Sequence, residues 1–360
     1  MRYILKSFGY IFLVIMLLIF SGCSMQKIET NNHNNNYNSK NISLTEIPEY
    51  DNGQNRDEQS VNTNPVSKTK LKPLMDMTEK DYYKGEEGGL YGKGKNIPPD
   101  KFREAILLAE SQIKPLDAKG SPSPEGKIGF IAIGMRNTEI EFNAFMNVEN
   151  SDKDINPAIV FVNGAQDGKD IYLWATDGLA WAILSERVER SGLTNKQVQV
   201  AWIKIADEKP KGEFPKNARE NQEYLKEIVL RLKKEYPNLK IAYLSSRIYG
   251  GYDLKNWNPE PYAYETAFSI RWLINTQING DILLNYDYTK GLVRAPILVW
   301  GPYMWASSDE KRSDGLIWTK EDFEEDGTTP SKLGLSKTTK LLIDYFKFNE
   351  FAKEWYVKKN

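Results

Sequence analysis

Only one cysteine, Cys23, and one histidine, His33, occur among the 360 residues. A lone thiol closes no intramolecular disulfide and builds no cysteine metal site, so the fold must rest on its core. The lone imidazole sits in the polar tract NNHNNNYN at 31–38, where it reads as a solvated linker residue and not a metal ligand. No folded segment therefore supplies an imidazole base, the group most often used for proton transfer near neutral pH. Excess charge of one sign is also missing. The formal net charge is −1, and removing Arg2 and Lys6 with an N-terminal leader leaves −3. With no long basic run, nothing favours a nucleic-acid partner. The longest apolar run, at 10–20, is shorter than the roughly 20 residues of a membrane-spanning helix.

That run follows Arg2 and Lys6 and ends in Phe20-Ser21-Gly22-Cys23, the three parts of a bacterial export signal. Small residues before a cysteine resemble the lipobox of bacterial lipoproteins, with Phe20 at the usual Leu position. The resemblance implies that Cys23 is lipidated and becomes the mature N-terminus. The chain would then be exported and lipid-anchored in the cell membrane or outer membrane, with that membrane as its partner. An ordinary signal peptide with an incidental cysteine is the alternative. Residues 24–75 are polar and poor in large apolar side chains. Such a segment buries too little surface to offset its chain entropy and reads as a tether.

From 76 to 360 the chain reads as one domain. It opens with the Gly-rich YKGEEGGLYGKGKNIPP at 83–99, which lacks the Gly-Lys-Ser/Thr ending of a P-loop and reads as a structural loop. An amphipathic helix is predicted near 99–113. Five short apolar runs follow, at 127–134, 158–164, 198–206, 239–246 and 295–302, separated by helical patterns near 138–149, 170–191, 216–236 and 262–279, with a last one near 333–348. In the third of these, Leu225, Ile228, Val229 and Leu232 fall on one face and charges on the other. Strands apolar on both faces, alternating with helices, predict a five-stranded parallel sheet in a three-layer α/β/α, flavodoxin-like domain. Ligands in such sheets bind beyond the C-terminal strand ends, so the residues there are read for chemistry.

Those residues are Gly134-Met135-Arg136-Asn137-Thr138, then Asn163 to Gly168, then Lys204 with Asp207-Glu208, then Ser245 to Tyr252, and Trp300 to Trp305. The last loop carries Arg312-Ser313-Asp314 and Asp326-Gly327-Thr328-Thr329-Pro330. This order resembles the SGNH, or GDSL-type, hydrolases, and in particular an exported subgroup whose first block reads Gly-Met-Ser-Asn-Thr. The segments YLSSRIYGGY at 243–252 and NPEPYAYE at 258–265 carry the likeness, which spans roughly 80 to 356. It implies a nucleophilic serine after the first strand, an oxyanion hole, and an aspartate and histidine three residues apart before the last helix. Here Arg136 stands at the serine position and Thr329 at the histidine position, while Asp326 and Gly164 or Gly168 remain. The oxyanion-hole asparagine has no counterpart, since the third strand runs into Ile203-Lys204-Ile205. A guanidinium is no acyl acceptor, and a threonine hydroxyl does not collect a proton as imidazole does.

Other engines are conceivable. Ser245, Ser246 or Ser313 beside Asp314 could serve with Lys204 as base, and Asp326, Asp314, Glu265 or Asp167 could form an acid–base pair. DKDIN at 152–156 lacks the remainder of an EF-hand, and neither metal nor other cofactor is expected. Binding is better supported. The candidate ligand site comprises Arg136, Asn137, Gly164, Gln166, Gly168, Lys204, Arg247, Tyr249, Trp300 and Asp326. The two arginines suit a carboxylate or phosphate. The rings of Tyr249, Tyr252, Trp257, Tyr262, Trp300, Tyr303 and Trp305 suit sugar stacking or loop packing. Arg136 and Asp326 are expected at one cleft, bridged directly or through a ligand. The reading is a lipoprotein with a degenerate SGNH-hydrolase-like domain that binds carbohydrate or cell-envelope glycan, with a glycan or acylated carbohydrate as its partner. The alternatives are an active esterase, deacetylase or glycan-processing hydrolase with a replaced constellation, and a structural adaptor.

Overall fold

The computed structural model describes residues 70–359. The expected signal segment, Cys23, His33 and most of the expected tether lie outside the described residues. The tether boundary at 75 is corrected. Leu74 is fully buried, and its amide donates to the Tyr303 hydroxyl at 3.0 Å. An apolar side chain with a core socket draws the segment 70–75 into the domain.

The Gly-rich region folds as a two-residue hairpin, β1 (Tyr82–Tyr83) with β2 (Glu86–Glu87), followed by α1 (Asp100–Ser111). The alternation then runs β3 (Ile128–Gly134), α2 (Arg136–Glu149), β4 (Ile159–Asn163), α3 (Ile171–Thr176), α4 (Gly178–Arg190), β5 (Val198–Lys204), α5 (Lys216–Glu235), β6 (Ile241–Leu244), α6 (Tyr262–Ile278), β7 (Ile297–Trp300), α7 (Lys332–Phe348) and α8 (Lys353–Tyr356). The predicted helix at 170–191 is two helices. Asp177 ends α3 and caps α4, its carboxylate accepting from the Leu179 amide at 2.9 Å. An Asp-Gly step is a strong restart signal within an otherwise continuous apolar pattern.

The five long strands form one parallel sheet in the order β4-β3-β5-β6-β7. β3, β5, β6 and β7 are buried throughout, as both-face burial requires. Helices α2, α7, α8 and α1 pack in succession against one another, and α3, α5 and α6 form the second group. The first layer closes around Phe130 of β3, whose ring meets Phe142 and Phe145 of α2, Phe346 of α7 and Trp355 of α8. Because β4 and β5 leave β3 on opposite sides, the chain reverses its direction of travel beside β3. The loop after β3 and the start of α2 open onto that switch point, where doubly wound sheets form crevices.

Candidate functional site

A cleft of about 280 Å³ lies there. Met135, Arg136 and Asn137 come from the start of α2, Asp167 and Gly168 from the loop after β4, and Glu208 from beyond β5. Arg247 and Trp257 follow β6, and Thr328 and Thr329 precede α7. Four strand ends and the last loop thus converge, although the residues are up to 194 positions apart in the chain.

The first turn of α2 sits close to β5. A side chain at Gly134 would collide with Thr138 and the Lys204 carbonyl, so glycine permits the approach. Thr138 Oγ1 then donates to the Lys204 carbonyl at 2.6 Å. Beneath this turn Lys204 Nζ donates to both oxygens of Glu141 at 2.6 Å, each side chain being almost wholly buried. Burial pulls the Lys204 ammonium below its ordinary range, and Glu141 opposes that effect. Lys204 is therefore the buried partner of a carboxylate and does not line the cleft, which corrects its expected place as a ligand or base.

The loop Asp326–Pro330 is clamped from two sides. Asn137 Nδ2 donates to the Thr328 carbonyl at 2.8 Å, and the Leu254 amide donates to the Asp326 carbonyl at 3.1 Å. Gly327 has φ +71°, and a Cβ there would lie 1.7 Å from the Tyr252 carbonyl oxygen, so glycine is required. The Asp326 carboxylate accepts from the Thr328 amide at 2.9 Å, the Thr329 amide at 2.7 Å and Thr329 Oγ1 at 2.6 Å. Burial raises its pKa, but these bonds outweigh burial and hold it below the ordinary carboxylate range. The expected ion pair between Arg136 and Asp326 is absent among the described residues. Asp326 faces its own loop, and Thr328 and Thr329 represent that loop in the cleft. Arg136 is exposed at the first helical position.

Arg136, Asn137, Gly168 and Arg247 of the expected set do meet, and Thr329 joins them. The remaining members have other work. Gly164 admits the Ala132 carbonyl and Leu184 at close range. Gln166 is buried and donates to the Gly164 and Ala180 carbonyls at 3.1 and 2.8 Å. Trp300 is 4% exposed, with its indole N–H on the Leu90 carbonyl at 2.7 Å. The Tyr249 hydroxyl accepts from Ser308 at 3.0 Å, and its ring stands edge-on to Tyr252. Most of the aromatic group thus packs loops onto the sheet; Trp257 alone of those seven rings reaches the cleft. Glu208 and Met135 were named at their strand ends but not among the candidate ligand residues. Glu208 sits in a strand-end loop without periodic pattern, where an acid looks like any solvated side chain.

The alternative nucleophiles are also occupied. Ser245 Oγ accepts the Trp202 indole N–H at 2.9 Å, and Ser246 Oγ accepts the Met304 and Trp305 amides at 3.2 and 3.3 Å. Ser313 bonds to Asp76, Asp314 pairs with Arg312, and Glu265 accepts from Tyr83 and Lys84. Among the described residues no group of three His, Cys, Asp or Glu side chains could hold a metal ion. The described cleft offers two cations, two carboxylates, hydroxyls and an indole, a set suited to holding a polar ligand.

No protein-family model matches the chain. No curated protein matches it either. Among solved structures, one provisionally assigned as an acylhydrolase, from Bacteroides fragilis, is 14% identical, with a TM-score of 0.37 over 69% of this chain and 97% of its own. The periplasmic domain of a lipopolysaccharide acetyltransferase from Salmonella Paratyphi A is 12% identical, with a TM-score of 0.34 over 69% of this chain and 94% of its own. The C-terminal catalytic domain of a peptidoglycan O-acetyltransferase from Streptococcus pneumoniae is 14% identical, with a TM-score of 0.27 over 65% and 99%. Every TM-score lies below 0.5, and none of these activities transfers to this chain.

Proposed function

We propose that this chain is an exported, lipid-anchored protein whose SGNH-hydrolase-like domain binds carbohydrate or cell-envelope glycan without hydrolysing it. The observation that carries the reading is the pairing of Arg136 with Thr329 across one cleft. These are the positions where the resembling hydrolases place their nucleophile and base. Asp326 still grips the side chain three residues on, but that side chain is a hydroxyl donating at 2.6 Å and cannot relay a proton from a nucleophile. Ser245, Ser246 and Lys204, which would replace them, are buried in hydrogen bonds or an ion pair. Membrane attachment rests on the Phe20-Ser21-Gly22-Cys23 sequence, and its check is loss of palmitate labelling in Cys23→Ala.

The test of the binding reading is turnover of p-nitrophenyl acetate by the purified protein. The expected rate equals the buffer rate, and Arg136→Ala leaves it there. Turnover that survives Arg136→Ala but vanishes in Ser245→Ala, Ser246→Ala or Lys204→Met would establish an active hydrolase and sink the reading.

A further inference from the structure

The start of α2 is an uncapped helix end facing the cleft. Met135 at the N-cap offers no side-chain acceptor, and the amides of Arg136, Asn137 and Thr138 have no acceptor among the described residues. A helix of 14 residues gathers about half a positive charge at such an end. A helix end alone is too common to mark a site. A second group, from a different strand end, turns into the same space. Arg247 is 6% exposed, it lines the cleft, and its Nε has no hydrogen-bond partner among the described residues.

Native structures rarely leave a buried charged donor unmet. The nearby carboxylates are engaged elsewhere: Glu141 holds Lys204, and Glu260 accepts from the Gly250 and Tyr264 amides and the Trp305 indole. Asp253 Oδ2 is buried without a partner as well, so a direct Arg247–Asp253 pair is the structural rival. The other lining residues decide what kind of anion fits. Asp167 and Glu208 line the same cleft, and their oxygens accept from hydroxyls. Trp257 adds a ring face of the sort on which sugars stack.

We propose that this cleft is a subsite for a sugar bearing one anionic group, a carboxylate or a phosphate, held by the first amides of α2 with the guanidinium groups of Arg247 and Arg136. Asp167 and Glu208 take hydroxyls of the same sugar. The proposal rests on the binding reading above and narrows it to charged saccharides.

Calorimetric titration of the full-length protein with D-glucuronate, D-glucose 6-phosphate and D-glucose at low salt tests it. At least one anionic sugar should bind about tenfold or more tightly than glucose, the scale of a charge-assisted hydrogen bond. The carboxylate and phosphate arms tell which group is recognised. Arg247→Met should abolish the preference, with folding checked by circular dichroism and the melting temperature. Arg136→Glu, at an exposed position, should weaken the preference in a folded protein even if Arg247→Met does not fold. Equal binding of all three sugars, no binding of any, or an unchanged preference in Arg136→Glu overturns the subsite. So does an Arg247→Met protein that is less stable yet keeps its preference, which would mark Arg247 as a partner of Asp253. Equal binding leaves the glycan reading standing, whereas hydrolysis of p-nitrophenyl acetate removes that reading independently.

Discussion

At the scale of single residues, the pair under α2 and the substituted positions above it make separable predictions. Lys204 and Glu141 are 1% and 0% exposed and bonded through both carboxylate oxygens. Removing one partner leaves the other charged and buried, so Lys204→Met should lower the unfolding free energy by about 3–5 kcal/mol. Lys204→Met with Glu141→Leu should recover most of that loss, because an apolar pair of similar volume needs no desolvation of charge. Urea unfolding of the three proteins checks this, and an undiminished loss in the double variant would mean that the ion pair stabilises the fold beyond what an apolar pair of similar volume supplies. Above it, Asp326 Oδ2 already receives Thr329 Oγ1 at 2.6 Å. An imidazole at 329 would find the same carboxylate, and a serine at 136 would stand at the start of α2 in the same cleft. Arg136→Ser with Thr329→His should therefore gain p-nitrophenyl acetate turnover of roughly 10²-fold over background. Neither single variant should gain it, and Asp326→Ala should cancel the gain. The residue types at these two positions were legible in the sequence, but their geometry was not. A direct Arg136–Asp326 pair does not form because two threonines and a backbone turn satisfy the aspartate locally, a short-range competition that strand-end reasoning does not see.

At the scale of elements, the N-terminal segment is part of the domain. Leu74 is 0% exposed and Met77 3%. The Tyr264 hydroxyl donates to Met77 Sδ at 3.2 Å, and Asn96 Nδ2 donates to the Met75 carbonyl at 2.7 Å. Leu74→Ala should cost about 2–5 kcal/mol, the range for a truncated core leucine. A protein beginning at 76 should melt lower still, and equal melting temperatures for that protein and one beginning at 70 would refute the packing role. The sequence conceals this segment because Leu71, Leu74 and Met75, set among Lys70, Lys72 and Pro73, are too few to show a periodicity. The five strands, by contrast, were legible within about two residues at most ends, since β-branched runs bounded by polar turns leave little choice of register. The strand-end rule also located the cleft. It could not say which strand-end side chains turn inward, because Lys204 at the end of β5 and Gln166 after β4 lie within a few residues of Glu208 and Gly168 and differ in what lies beneath them.

At the scale of the whole molecule, the ionisable groups set a pH dependence whose sign follows from burial. Glu110, in the last turn of α1, accepts the Glu354 amide at 2.9 Å and is 2% exposed. Burial pushes its carboxyl up to about 7 from an ordinary 4.5, against the lowering effect of the Glu354 N–H. Between those values the folded protein keeps a proton that the unfolded chain has released. Stability from this group is thus fully present below 4.5 and lost as the pH rises through about 7. Glu149 and Glu260 are raised in the same direction, in each case chiefly by burial. Asp152, Asp177 and Asp287 are held low, each first of all by a side-chain hydrogen bond, from Lys347, Lys169 and Thr289 respectively. Their contribution is present above the ordinary aspartate value and disappears as the pH falls through the depressed one, and solvent keeps it small. Lys233, pulled down to about 8 by burial, adds stability only as the pH rises beyond that point. Stability should accordingly peak near about pH 5 and decline toward about pH 7.5. Glu110→Gln, uncharged throughout, should shrink that decline by up to about 2 kcal/mol. Denaturant unfolding of both proteins at the two pH values measures it. An identical decline in the variant would place the slope elsewhere, in Glu149 at the α2–α8 contact or in Glu260 beneath the loop after β6.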